Sequence, residues 1–118
     1  MIALVSFDYA VWDGPRPVDD AAAEATFDRL LDAVNEMRGE VVPPTAALDR
    51  FITDLERRWP LDADDAPWAL SPIRPSAHGP FLMLHFSGAA TAEDVTWVDA
   101  KARERGLVRF DPHNSQVY

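Results

Sequence analysis

The run Phe81-Leu82-Met83-Leu84-His85-Phe86 is the most apolar stretch of the chain, and Ser87-Gly88 ends it after six residues. That length is too short for a helix and suits a strand buried in the middle of a sheet. The rest of the chain must then supply strands to flank it and helices to cover it.

Residues 2–12 meet the first need. Val5, Phe7, Tyr9 and Val11 alternate with Leu4, Ser6, Asp8 and Ala10, the period-two pattern of a strand with two unlike faces, and Asp8 falls on the more polar one. Trp12-Asp13-Gly14-Pro15-Arg16-Pro17 breaks the strand, because glycine permits turn dihedrals and the prolines remove donors. Helices follow. Asp19 or Asp20 is a good N-cap, and Phe27, Leu30, Leu31, Val34 and Met37 form a core-facing stripe that Gly39 ends. Thr45 caps a second helix, in which Leu48, Phe51, Ile52, Leu55 and Trp59 repeat the spacing until Pro60.

Trp68-Ala69-Leu70 reads as a short strand, and Ser71 to Pro80, with three prolines and Gly79, reads as a loop. Thr91 and Asp94 approximate a capping box for a third helix, which buries Val95, Val98 and Ala102 and stops at Gly106. Leu107 to Phe110 makes the last long strand, and Gln116-Val117-Tyr118 adds a short one. The expectation is a single α+β domain over 1–118. It is a ferredoxin-like βαββαβ sandwich with an extra helix in the first crossover and an antiparallel sheet in strand order 4-1-3-2. Right-handed crossovers put the helices on one face. The other face is left to water, to the mate of a homodimer or to a ligand.

Charge narrows the partners. The net charge is −9, and residues 1–66 hold 15 acidic and 6 basic side chains whereas 67–118 hold five of each. A field of that sign repels phosphate backbones and anionic lipid and speeds encounter with a cationic partner, so nucleic acid and membrane are not expected ligands. No apolar run approaches the length of a membrane span. The chain has no cysteine, which removes disulfides, zinc ribbons and thiol nucleophiles and suits a reducing compartment. The opening residues reach Asp8 too soon for the apolar core of a signal peptide. The expected location is cytoplasmic.

Within the acidic half, Glu24, Asp28, Asp32 and Glu36 stand at strict four-residue spacing. On a helix such neighbours lie about 5–6 Å apart, and like charges there cost a few tenths of a kcal/mol per pair. Helix stability does not ask for this row. A solvated helix face and a partner-binding ridge are the two readings it leaves. Asp62, Asp64 and Asp65 add an acidic loop between Pro60 and Pro67. It begins like a calcium loop but lacks the glycine and glutamate an EF-hand needs, so no metal is expected.

Catalytic signatures are absent. His78, His85 and His113 show no metal-ligand spacing, and GxSxG, the P-loop and GxGxxG do not occur. No cofactor follows from the sequence. One pair survives: if the first and third long strands are neighbours, Asp8 lies near His85, an arrangement that serves as an acid–base pair or as a satisfied structural histidine, with Arg109 on the far neighbour. Trp12, Trp59, Trp68 and Trp97 can line a pocket or anchor a core.

Phe7-Asp8-Tyr9-Ala10-Val11-Trp12 near the start and Ala102-Arg103-Glu104-Arg105-Gly106-Leu107-Val108-Arg109-Phe110-Asp111-Pro112 near the end resemble a pattern of small bacterial proteins. These pair an "FDLAVW"-like first strand with a "GLVxxDP"-like last strand. Some are grouped with immunity proteins of contact-dependent inhibition and other polymorphic toxin systems. The resemblance implies a non-enzymatic protein that binds and neutralises a cognate toxin domain by occlusion. Its motifs are structural and bring no catalytic residue. The residues expected to meet a basic toxin are Glu24, Asp28, Asp32 and Glu36, with Asp62, Asp64 and Asp65 next. The alternative is a ferredoxin-like domain that binds or transforms a small molecule on its open sheet face through Asp8 and His85.

Overall fold

The computed structural model describes residues 7–118; the part of the expected first strand before Phe7 lies outside the described residues. β1 (Phe7–Trp12) and β3 (Phe81–Phe86) pair antiparallel over their whole length, from Phe7↔Phe86 to Trp12↔Phe81. β4 (Val108–Asp111) runs antiparallel along the other edge of β1, with Ala10 opposite Phe110. Two-residue strands finish the edges: β2 (Ala77–His78) beside β3 and β5 (Gln116–Val117) beside β4. Three α-helices among the described residues complete the α+β fold. They are α1 (Asp20–Glu36), α2 (Ala46–Arg58) and α3 (Ala92–Glu104).

The short strand expected at Gln116-Val117-Tyr118 forms as β5, so that where the sequence leads to the order 4-1-3-2 the sheet among the described residues runs β2-β3-β1-β4-β5. The expected strand at Trp68-Ala69-Leu70 is reduced to a single bridge, Trp68↔Phe86. Ala69 N–H still donates to His85 C=O at 2.7 Å and Ser87 N–H to Pro67 C=O at 2.8 Å. Pro67, Pro72 and Pro75 supply no amide hydrogens, so the ladder cannot lengthen there. Pairing resumes at Ala77–His78, inside the stretch that reads as loop.

The helices are not all on one face. α2 and α3 cover the face that carries Val11, Leu82, Leu84 and Phe86, where Leu48, Phe51, Ile52, Leu55, Val98 and Ala102 bury against them. α1 covers the opposite face, setting Phe27, Leu30, Leu31 and Val34 on Ala10, Trp12, Phe81, Val108 and Phe110. The cause lies in the central strands: β1 and β3 carry large apolar side chains on both faces, so each face demands cover. The expected open face is therefore largely filled by α1. Phe27 is its main wedge, with ring centroids 6.0 Å from Phe81 and 5.3 Å from Phe110.

The two layers are held unequally. Leu48, Phe51, Ile52 and Leu55 of α2 are fully buried, each stabilising by about 1.5–3 kcal/mol. In α1 only Ala23 is buried, and the stripe residues are half-covered. Caps fix the ends. Asp19 accepts from Ala22 N–H at 2.8 Å, and Thr91 and Asp94 exchange side-chain and backbone bonds at 3.1 and 3.0 Å as a full capping box. Thr45 occupies the expected N-cap position of α2, but its hydroxyl makes no capping bond. After α1 the chain turns through Arg38 (φ 50°) and Gly39 (φ 87°), a left-handed pair for which glycine at the second position avoids the Cβ clash. Arg74 clamps the loop before β2 onto α2, donating to Glu56 at 2.8 Å and Thr53 at 3.2 Å and pairing with Asp49. The bonds it donates to Glu56 and Asp49 push its guanidinium further into the charged form. No described helix is long and apolar enough to cross a membrane.

Candidate partner-binding surface

The four-residue spacing in α1 becomes a row on its outer side, because the apolar stripe turns Phe27 and Val34 to the sheet. Glu24, Asp28, Asp32 and Glu36 are all exposed. The row is not uniform. At its start Glu24 accepts from the Ser115 hydroxyl at 3.1 Å, and one turn earlier Asp20 accepts from Val117 N–H at 2.9 Å. These two carboxylates hold β5 and its turn against α1. Asp28, Asp32 and Glu36 make no ion pair or hydrogen bond among the described residues. They form the free part of the ridge.

Asp62, Asp64 and Asp65 are also exposed, in a loop opened by a turn in which Ala63 N–H donates to Pro60 C=O at 2.8 Å. Ala63 and Ala66 pack into the α2–α3 layer, whereas the ridge belongs to the α1 layer. The ridge and the loop expected next after it thus attach to opposite faces of the sheet. No cluster of three metal-ligating side chains occurs among the described residues.

The register that sets Asp8 opposite His85 brings the expected pair together, with Oδ1 and Nδ1 2.7 Å apart. Both side chains remain partly exposed, at 35% and 28%. His113, which shows no spacing signal in the sequence, stands 3.9 Å from the other oxygen of Asp8. It arrives through the turn after β4, where Asp111 accepts from His113 and Asn114 N–H groups at 2.9 and 3.4 Å. Arg109 does not join this group. Successive residues of a strand point to opposite faces, and Arg109 turns to the other one, its guanidinium 4.4 Å from the Tyr9 ring centroid.

The tryptophans divide in the same way. Trp12 is buried under α1. Trp59, Trp68 and Trp97 cluster on the α2–α3 side, with Trp59 edge-on to both others at 5.4 Å. They act as anchors between α2, α3 and the loop before β2, and Arg58 and Lys101 lie over Trp97.

Comparison of the chain with protein-family models, with curated proteins and with solved structures finds no match.

Proposed function

We propose that this chain is an immunity-type protein that neutralises a cognate toxin domain by occlusion, presenting an acidic helix face to a basic toxin surface. The observation that carries the reading is the free part of the ridge. Asp28, Asp32 and Glu36 stay exposed and, among the described residues, unpaired on a helix whose opposite side is committed to the sheet. Like charges at this spacing work against the helix, and a cationic groove would convert that cost into attraction. Toxins that cut nucleic acid carry such grooves. An acidic face would speed encounter and then be held by a few desolvated contacts. The Asp62, Asp64 and Asp65 loop, on the other layer, is a secondary contact at most.

The frame we propose is a ferredoxin-like sandwich extended by α1 and β5. Its support is the unbroken antiparallel succession β4, β1, β3, β2 within the five-stranded sheet. In this frame α2 and α3 form the usual helical layer and α1 is an added one.

The test is growth rescue: the chain is co-expressed with the C-terminal region of the protein encoded directly upstream. Rescue that needs this chain, and that weakens when Asp28, Asp32 and Glu36 are changed to lysine, is the expected result. Killing that continues regardless of the chain would remove the immunity reading for that pair, and rescue indifferent to the lysines would remove the ridge.

A second reading rests on the 2.7 Å contact between His85 and Asp8: a small-ligand or acid–base site at the end of the sheet that α1 leaves partly open. A ligand-dependent rise in Tm that Asp8→Ala and His85→Ala abolish and the ridge lysines preserve would favour it.

A further inference from the structure

The segment after α2 leaves apolar surface uncovered. Leu61 is 76% and Leu70 56% exposed. Leu61 lines a cavity of about 100 Å³ together with Trp59, Pro60, Ala66, Trp68 and Ile73, and Leu70 stands between the lining residues Trp68 and Ser71. A single exposed leucine needs no explanation, but two beside one aromatic-walled hollow mark an interaction surface.

The walls of this hollow are fixed before any partner arrives. Trp59 and Ile73 belong to the buried core under α2 and α3. Trp68 meets Trp59 edge-on at 5.4 Å, and its bridge to Phe86 and the neighbouring bond from Ala69 N–H to His85 C=O tie it to β3. On the other side Ala63 and Ala66 pack into the same core. Filling a preformed hollow costs little ordering. Ligand pockets measure about 300–1,000 Å³, so this one has room for a single aliphatic side chain and not for a small molecule. The charge around it has one sign. Residues 59–73 carry Asp62, Asp64 and Asp65 and no basic side chain, and these three aspartates are exposed and make no ion pair among the described residues. The arginines nearest in sequence are engaged elsewhere. Arg74 pairs with Asp49 and Glu56, and Arg57 and Arg58 line a separate hollow with Trp97 and Lys101.

We infer that this hollow docks an extended segment of another protein, one that presents a single aliphatic side chain flanked by lysine or arginine. The aliphatic side chain enters between Trp59 and Trp68. Leu61 and Leu70 pack on the apolar stems of its neighbours, and the cationic ends of those neighbours meet the aspartates. An apolar anchor seated in a pocket within a charged rim is the arrangement that concentrates binding energy in a few residues. The rim decides the sign of the partner, and it repels anionic lipid and nucleic acid. This surface lies on the α2–α3 side of the sheet, whereas the ridge belongs to the α1 side. It is independent of the toxin reading and survives its failure.

The probe is a synthetic heptapeptide with a central leucine and three lysines on either side, set against the same peptide with a central alanine and one with glutamates around the leucine. The expected result is a saturable shift of the Trp59 and Trp68 indole N–H resonances, while that of Trp12, buried under α1, stays in place. The alanine peptide should bind about tenfold more weakly. Two variants of the chain change exposed side chains alone and should keep the fold: Leu61→Ser with Leu70→Ser, and Asp62, Asp64 and Asp65 changed together to asparagine. Each should weaken binding about threefold or more, and the effect of the asparagines should fade near 1 M salt. No saturable shift with the lysine–leucine peptide would overturn the proposal. Equal affinity for the alanine peptide would remove the anchor, and equal affinity for the glutamate peptide would remove the basic partner. Self-association of the chain in sedimentation, abolished by the two serines, would put a second copy in the hollow and overturn the choice of occupant.

Discussion

Arg105 and Asp54 meet in a two-point contact, Nε to Oδ2 at 2.7 Å and Nη2 to Oδ1 at 2.9 Å, that ties the end of α3 to the middle of α2. The hydrogen bonds from Arg105 hold the Asp54 carboxyl below the usual carboxylate range, against the opposing effect of burial. A lowered folded pKa means stability that is present above the unfolded value and lost as pH falls through the folded one. Asp54→Asn should therefore lower Tm by about 2–6 °C at pH 7. The difference should shrink toward zero below about pH 4, where the unfolded carboxyl takes up its proton. Thermal unfolding from pH 3 to 7 checks both ends.

Asp99 behaves in the opposite sense. Burial raises its pKa, with the Arg109 and Arg103 charges pulling it back. The folded state then binds its proton more readily than the unfolded state, so ionisation costs stability as pH rises through the unfolded value and up to the folded one. Between these two carboxyls the acid limb of the stability curve is partly cancelled. Removing only Asp54 should therefore make the acid limb shallower than in the unchanged protein, which the same pH series would show as a reduced slope.

The position of α1 yields a prediction of its own. Phe27 is half-covered, yet it is the side chain that touches both Phe81 and Phe110. Phe27→Ala should cost about 2–3 kcal/mol by urea denaturation, below the value for a fully buried phenylalanine. Because only Ala23 of α1 is fully buried, the loss should appear first as faster amide exchange in α1 while α2 stays protected. Equal exchange in the two helices would mean that α1 does not unfold separately.

The extent to which these relations are legible in the sequence differs from element to element. The three helices and the caps at Asp19 and Thr91 follow from spacing and side-chain chemistry that act within a few residues. The Asp8–His85 contact follows from placing β1 beside β3. The face taken by α1 does not follow, since Ala10 and Trp12 on one side of β1 and Tyr9 and Val11 on the other both ask for cover. Nor does β2, whose two residues sit among prolines that mask the strand pattern. Arg109 looks like a polar residue in a strand. Its burial depends on Tyr9, Asp99 and Tyr118 arriving from three separate segments, a coincidence that no local pattern records.

The carboxylate row can be separated from the fold by Asp32→Lys. The substitution replaces two like-charge neighbours, Asp28 and Glu36, with attractive ones, partly offset by Arg29 three residues earlier. The expected result is a gain of about 0.5 kcal/mol at low salt that fades near 1 M. A variant that is more stable and yet worse at protecting against a toxin would show that the row is retained for binding. A variant that loses stability would mean that the row does structural work that its exposed, unpaired geometry hides.

His85 offers the sharpest test of the second reading. With Nδ1 2.7 Å from an Asp8 oxygen, the neutral ring donates from Nδ1 and leaves Nε2 as an acceptor. The ¹⁵N spectrum of the imidazole should report mainly the Nδ1–H tautomer, and Asp8→Ala should move the balance toward Nε2–H. His113, 3.9 Å from the same carboxylate and largely exposed, should show no such preference. An orienting carboxylate with a free Nε2 lone pair is what a general base requires. If the tautomer ratio of His85 does not respond to Asp8, the contact does not persist in solution and the acid–base reading falls with it.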